Sequence, residues 1–126
     1  MGAVDGIYIS EDGKHTLTIT GSNDSDGSFS GSFVSNTTRT GEINYSQIFG
    51  QYSFVSSANH WPAQIGFYAV FNRQPRHYVI ADHWNGIRTS NGNLLISGVR
   101  TYTTDAGLYN LQTFENIHFT IAPTEK

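Results

Sequence analysis

The chain has no cysteine, which excludes disulfides, thiol nucleophiles and thiolate zinc sites. Charge is scarce. Seven Lys and Arg against ten Asp and Glu, scattered without runs, give a formal net charge of −3. That leaves no basic footprint for DNA, RNA or an anionic lipid surface. No apolar run approaches the roughly 20 residues of a membrane-spanning helix. Apolar residues at helical spacing are missing as well, so amphipathic helices are not the building unit. Met1 to Gly6 has neither the basic nor the apolar region of a signal peptide. A cytoplasmic location is expected, or a secreted one with the leader removed.

What is present is aromatic residues, at 13%, with abundant Gly, Ser, Thr and Asn, a composition suited to short strands and tight turns. Alternating apolar and polar segments recur between turn clusters, the period-2 pattern of half-buried strands. Eight strands are expected over residues 1–126, read as one domain. They are Gly6–Ser10; His15–Thr20, with Leu17 and Ile19 on one face; a third carrying Phe29, Gly31, Phe33 and Ser35 on one face; and Asn44–Val55. The second half supplies Ala63–Phe71, His77–Trp84, Leu94–Thr103 and Leu108–Ile121. Gly31 suggests a bend or a close backbone approach. Eight hairpin-linked strands remove both exposed edges by closing into an all-β, antiparallel up-and-down barrel whose bore suits one small ligand. A β-sandwich is the alternative closure.

Several short patterns, in the same order, resemble those of avidin, streptavidin and especially the mushroom avidins called tamavidins. Gly6-Ile7-Tyr8 resembles the opening Gly-x-Trp, and Gly27-Ser28-Phe29-Ser30-Gly31-Ser32-Phe33 resembles Gly-x-Phe/Leu-Thr-Gly-x-Tyr. Ile65-Gly66-Phe67 resembles the start of strand five, and Trp84-Asn85-Gly86 resembles Trp-Ser-Gly of strand six. Phe119 to Glu125 resembles the tamavidin ending Phe-Thr-x-x-Ala-Pro-Thr-Glu. The resemblance implies an eight-stranded barrel that holds biotin at one end, usually as a tetramer or dimer.

Carried over residue by residue, it also implies a degenerate biotin site. The family's ureido-carbonyl donors, Asn, Ser and Tyr, fall on Ser10, near Lys14 and on Phe33. The acceptor for the ureido NH falls on Ile117, beside Asn116, and Ile80 stands where a Ser would bond the biotin tail. Trp84 is kept, whereas the other family tryptophans become Phe71, Gly98 and, in the one lent by a neighbouring subunit, Tyr109. A ureido group buried without partners costs about 1–3 kcal/mol per group. The pocket expected from these positions is aromatic, with Ser35 beside Phe33.

Asp82 shares parity with Trp84, and Arg100 with Gly98 on the next strand. Without an intervening bulge the two charges form an interior pair, serving structure or facing a ligand. Trp61, in His60-Trp61-Pro62, is a lid over the ligand or a plug at a barrel end. Trp84, Phe33, Phe67, Phe71 and Tyr109 line a pocket or simply fill the core. The five histidines show no metal-site spacing, so no metal is expected, nor any cofactor. There is no Gly-x-Ser-x-Gly elbow, and Glu115 is the lone acid in the body of strand eight. No enzyme is expected.

The leading expectation is therefore a non-catalytic protein binding a small molecule or glycan in a pocket remodelled away from biotin, as a homotetramer or homodimer. One alternative is a multivalent carbohydrate-binding defence lectin that uses Tyr45, Tyr52, Asn59, His60 and Trp61 on exposed turns. Another is a weakened but genuine biotin binder.

Overall fold

The computed structural model describes residues 2–38, 41–56, 61–71 and 77–123. Eight antiparallel strands follow one another: β1 Gly6–Ser10, β2 His15–Asn23, β3 Ser28–Thr38, β4 Gly41–Ser53, β5 Ala63–Phe71, β6 Tyr78–Arg88, β7 Leu94–Thr104 and β8 Tyr109–Ile121. Each pairs with the next, and β8 returns to β1 through Tyr8↔Ile121 and Ser10↔Phe119, closing the barrel. The closure leaves no edge strand to attract another chain. The sandwich alternative is thereby set aside. No helix among the described residues is long and apolar enough to cross a membrane.

The two-residue alternation of the sequence is what fills the barrel. Leu17 and Ile19 of β2, Phe29 and Phe33 of β3, Ile65 and Phe67 of β5 and Trp84 of β6 are all buried, because every second side chain of a strand points inward. Where the alternation slips, the ladder slips too. In β4 the inward positions change from Ile43 and Tyr45 to Ile48 and Tyr52, and the β3–β4 register shifts between Gly31 and Phe33. Gly31 sits at that shift, and a Cβ there would lie 1.8 Å from the Thr18 carbonyl oxygen. The close approach expected of it is present.

The loops divide between two ends. The β1–β2, β3–β4, β5–β6 and β7–β8 connections share one end, called the mouth below. The β2–β3, β4–β5 and β6–β7 connections share the other. The second end is plugged. Tyr8 Oη donates to the Val4 carbonyl at 2.7 Å and accepts from Arg88 Nε at 3.0 Å. The Arg88 guanidinium lies 4.5 Å from the centre of the Trp61 ring, and Trp61 meets Phe54 edge-on.

Candidate ligand site in the barrel

β6 and β7 pair without a register shift from Tyr78↔Thr104 to Arg88↔Leu94, which sets Asp82 directly opposite Arg100 and Trp84 opposite Gly98. All four face the interior. Arg100 donates from Nε to Asp82 Oδ1 at 2.8 Å and from Nη2 to Oδ2 at 2.9 Å. Tyr45 Oη donates to Oδ1 at 2.6 Å and Trp84 Nε1 to Oδ2 at 2.9 Å. Asp82 is 0% exposed and Arg100 4%. Two buried charges at this depth are tolerable only when paired and hydrogen-bonded, and both conditions are met.

The electrostatics follow. Burial by itself would lower the Arg100 pKa, but the hydrogen bonds and charge of Asp82, helped by Tyr45, outweigh it and raise it. The Tyr45 phenol is pushed far above its ordinary range, first by burial and then by the Asp82 charge. The network thus joins a guanidinium held charged and a phenol held neutral through the Asp82 side chain that accepts from both.

Behind it, away from the mouth, the interior is packed with rings. Trp84 stacks on Phe114 at 5.1 Å and lies against Phe33 at 5.3 Å. A Cβ on Gly98 would sit 2.4 Å from the Trp84 ring, so the absence of a side chain at 98 is what lets Trp84 lie flat. His15 shares this cluster, 5.3 Å from Phe114, and its Nδ1 is 2.9 Å from Ser35 Oγ. Ser10 Oγ accepts from the His15 backbone N–H and donates to Asp12. Burial, with a smaller contribution from Arg100, lowers the His15 pKa against the opposing pull of Asp12 and Asp82. Among the described residues every buried side-chain nitrogen and oxygen has a hydrogen-bond partner.

Outward of the ion pair, one row nearer the mouth, Ile80 faces Tyr102 and Phe71 faces Ile80 across the ladder. With Ile43 and Tyr78 these residues line a cavity of about 400 Å³ whose rim carries Glu42 and Asn44. Tyr78 stacks on Phe71 at 6.3 Å and lies 5.9 Å from Tyr102. This chamber is predominantly apolar and aromatic-walled, and the Asp82–Arg100 pair lies one inward position deeper on β6 and β7. A broader depression of about 610 Å³ lies on the outer wall over β4, β5 and β6, around Phe49, Tyr68 and His83. It is separated from the chamber by the sheet.

The residues singled out from the sequence are distributed accordingly. Ser10, Phe33, Ser35, Asp82, Trp84 and Arg100 are all buried inside the barrel, and Phe71 lines the chamber. Trp61 does not reach the mouth. Its half-buried ring lies at the opposite end against Arg88, the position of the plug among the two alternatives. Asn116 is corrected. β8 carries an extra residue where Ile96 pairs with Ile117 but Gly98 with Phe114, so both Glu115 and Asn116 turn outward. Asn116 adopts φ 54° and donates its backbone N–H to Ser97 Oγ. Tyr109 is 84% exposed at the start of β8 and is not among the residues that line the chamber. The glycan platform on exposed turns loses its tyrosines, since Tyr45 and Tyr52 are buried inward residues of β4. Asn59 and His60 lie outside the described residues.

Three contributors escaped the sequence reading, His15, Tyr78 and Tyr102, and Tyr45 was read as an exposed turn residue rather than an inward one. His15 and Tyr45 were signalled by parity, with Leu17 and Ile43 respectively, but a polar residue at an inward position reads as a break in the pattern. Among the described residues no three acids or histidines converge as metal ligands.

The geometry can be set against known proteins. No family model matches the chain, and no curated protein matches it. The crystal structure of core-bradavidin matches over 94% of this chain and 100% of its own, with a TM-score of 0.60 and 16% sequence identity. The fold is an avidin-like barrel. At this identity the likeness to core-bradavidin speaks for the strand order and closure, and the chemistry of the interior has to be argued from its own residues.

Proposed function

We propose that this protein is a non-catalytic binding protein whose mouth chamber takes a small apolar or aromatic molecule and whose interior is remodelled away from biotin. The observation that carries the reading is the network one inward row below the chamber. The Asp82 oxygens are taken by Arg100, Tyr45 and Trp84, so no row of unpaired donors waits for a ureido group. What remains for a ligand is contact with Phe71, Tyr78, Ile80 and Tyr102, a predominantly apolar enclosure of the kind small-molecule sites use. The non-catalytic reading rests on the same network, whose Asp82, Arg100, Tyr45 and Trp84 are buried and hydrogen-bonded to one another. Assembly into dimers or tetramers is part of the proposal. Leu108, Tyr109 and Leu111 stand exposed together on the β7–β8 hairpin, a patch that contact with another copy would cover.

The test is titration of an environment-sensitive apolar fluorophore into the parent protein, Phe71→Ala and Tyr102→Ala, with mass measured by light scattering on the same samples. Saturable binding weakened about tenfold or more by either substitution supports the chamber, one lost aromatic contact being worth roughly 1–3 kcal/mol. Equal binding by all three proteins places the probe elsewhere and sinks the reading.

A further inference from the structure

The arrangement around Arg100 has the parts of a guanidinium receptor. A carboxylate presents both oxygens to the Nε and Nη2 edge, the fork-to-fork geometry that arginine and carboxylate favour. That carboxylate is also held in place by Tyr45 and Trp84. The Phe114 ring lies 5.0 Å from the guanidinium carbon, within reach of a cation–π contact. The guest arrives on a tether from β7, from a Cα directly opposite Asp82. On both strands the next inward residues toward the mouth are Ile80 and Tyr102, which face each other and line the chamber.

We propose that the inner barrel is a guanidinium-binding site occupied by the chain's own Arg100, and that this internal guest sets the depth of the mouth chamber. In the parent protein a ligand stops at the row of Ile80 and Tyr102. A free guanidinium cannot compete with one tethered in place, because the tether supplies a high effective concentration. Removing the Arg100 side chain joins the vacated space to the chamber and exposes an oriented, buried carboxylate. The chemical class that fits there is a small planar cation, a monosubstituted guanidinium or an amidinium. The depth-setting part rests on the chamber being the ligand site, whereas the guanidinium part does not.

The experiment compares Arg100→Ala, Arg100→Ala with Asp82→Asn, and the parent, each melted in increasing millimolar methylguanidinium chloride at constant ionic strength. Sodium and tetramethylammonium chloride serve as controls. The expected result is a lowered melting temperature for Arg100→Ala that rises saturably by several degrees with methylguanidinium alone. The parent and the double variant show no such rise. If Arg100→Ala does not fold unaided, its refolding yield in methylguanidinium against sodium becomes the readout, and a gain absent from the double variant supports the site. No guanidinium-specific shift or yield, or an equal one in the double variant, overturns the proposal. The fluorophore titration on Phe71→Ala is independent of these arms, so failure of the chamber and failure of the guanidinium site are distinguishable.

Discussion

Among the described residues two arginines enter this barrel, and its two ends hold them differently. Arg100, beneath the mouth, faces a carboxylate that takes two of its N–H groups. Arg88, at the plugged end, faces no carboxylate partner among the described residues. It donates to the neutral Tyr8 phenol and to the Thr89 carbonyl at 2.8 Å, and its guanidinium lies against the rings of Trp61 and Tyr8. The difference follows position along the axis. Arg88 belongs to the last rung before the β6–β7 turn, where dipoles and π faces suffice for a weakly hydrated cation. Arg100 lies further in, where an uncompensated charge is far more costly.

This contrast is sharpest when the partners are removed. Asp82→Asn leaves the Arg100 cation buried without a counter-charge, and denaturant unfolding is expected to show a loss of about 3–5 kcal/mol. Replacing both members, as Asp82→Leu with Arg100→Met, should recover only part of that loss, because no charge is left to desolvate while the Tyr45 hydroxyl and the Trp84 N–H lose their acceptor. A double variant as unstable as the single one would mean that the stranded charge is not what costs Asp82→Asn its stability. Arg88→Met is expected to cost less, about 1–3 kcal/mol. Tyr8 keeps its bond to the Val4 carbonyl, and no charge is stranded. If Arg88→Met proved the more damaging of the two, the contrast between the ends would be reversed.

A smaller effect comes from His15, which touches the ring cluster behind the Asp82–Arg100 pair. Its pKa is lowered in the folded state from the ordinary 6.5, chiefly by burial, so the folded protein resists taking the proton that the unfolded chain accepts. Its contribution is therefore complete above about pH 6.5 and is lost as pH falls from there toward the folded-state value. Chemical denaturation from pH 7.5 down to 5 should show a stability slope that His15→Phe flattens. An unchanged slope in the variant would assign the acid sensitivity to other groups.

The architecture was largely legible in the sequence, because in a closed barrel one face of every strand is buried and period 2 survives into the composition. Gly6–Ser10 and Ala63–Phe71 were placed to the residue. The ends of β2, β4 and β6 were not, since Gly21, Ser22 and Asn23 continue β2 and Asn85 to Arg88 continue β6 with residues that read as turn formers. The Asp82–Arg100 pair was legible for a physical reason: parity within each strand and an unbroken β6–β7 register put two opposite charges on one rung. Asn116 was not, because the reading assumed a continuous β8. The break is visible in retrospect, as Phe114 is even-numbered and Ile117, Phe119 and Ile121 are odd. Trp61 was ambiguous because its position depended on which end the β4–β5 connection occupies, and that is fixed by closure of the whole barrel rather than by any local motif.

In the proposed function the locked network beneath the mouth leaves the barrel without the polar partners a ureido ligand needs. Isothermal titration of biotin into the parent protein tests this. No saturable heat is expected, with the melting temperature unmoved at biotin concentrations in large excess over protein. Tight, stoichiometric binding that Tyr45→Phe or Asp82→Asn abolishes would contradict it, showing that the network opens to receive the ligand.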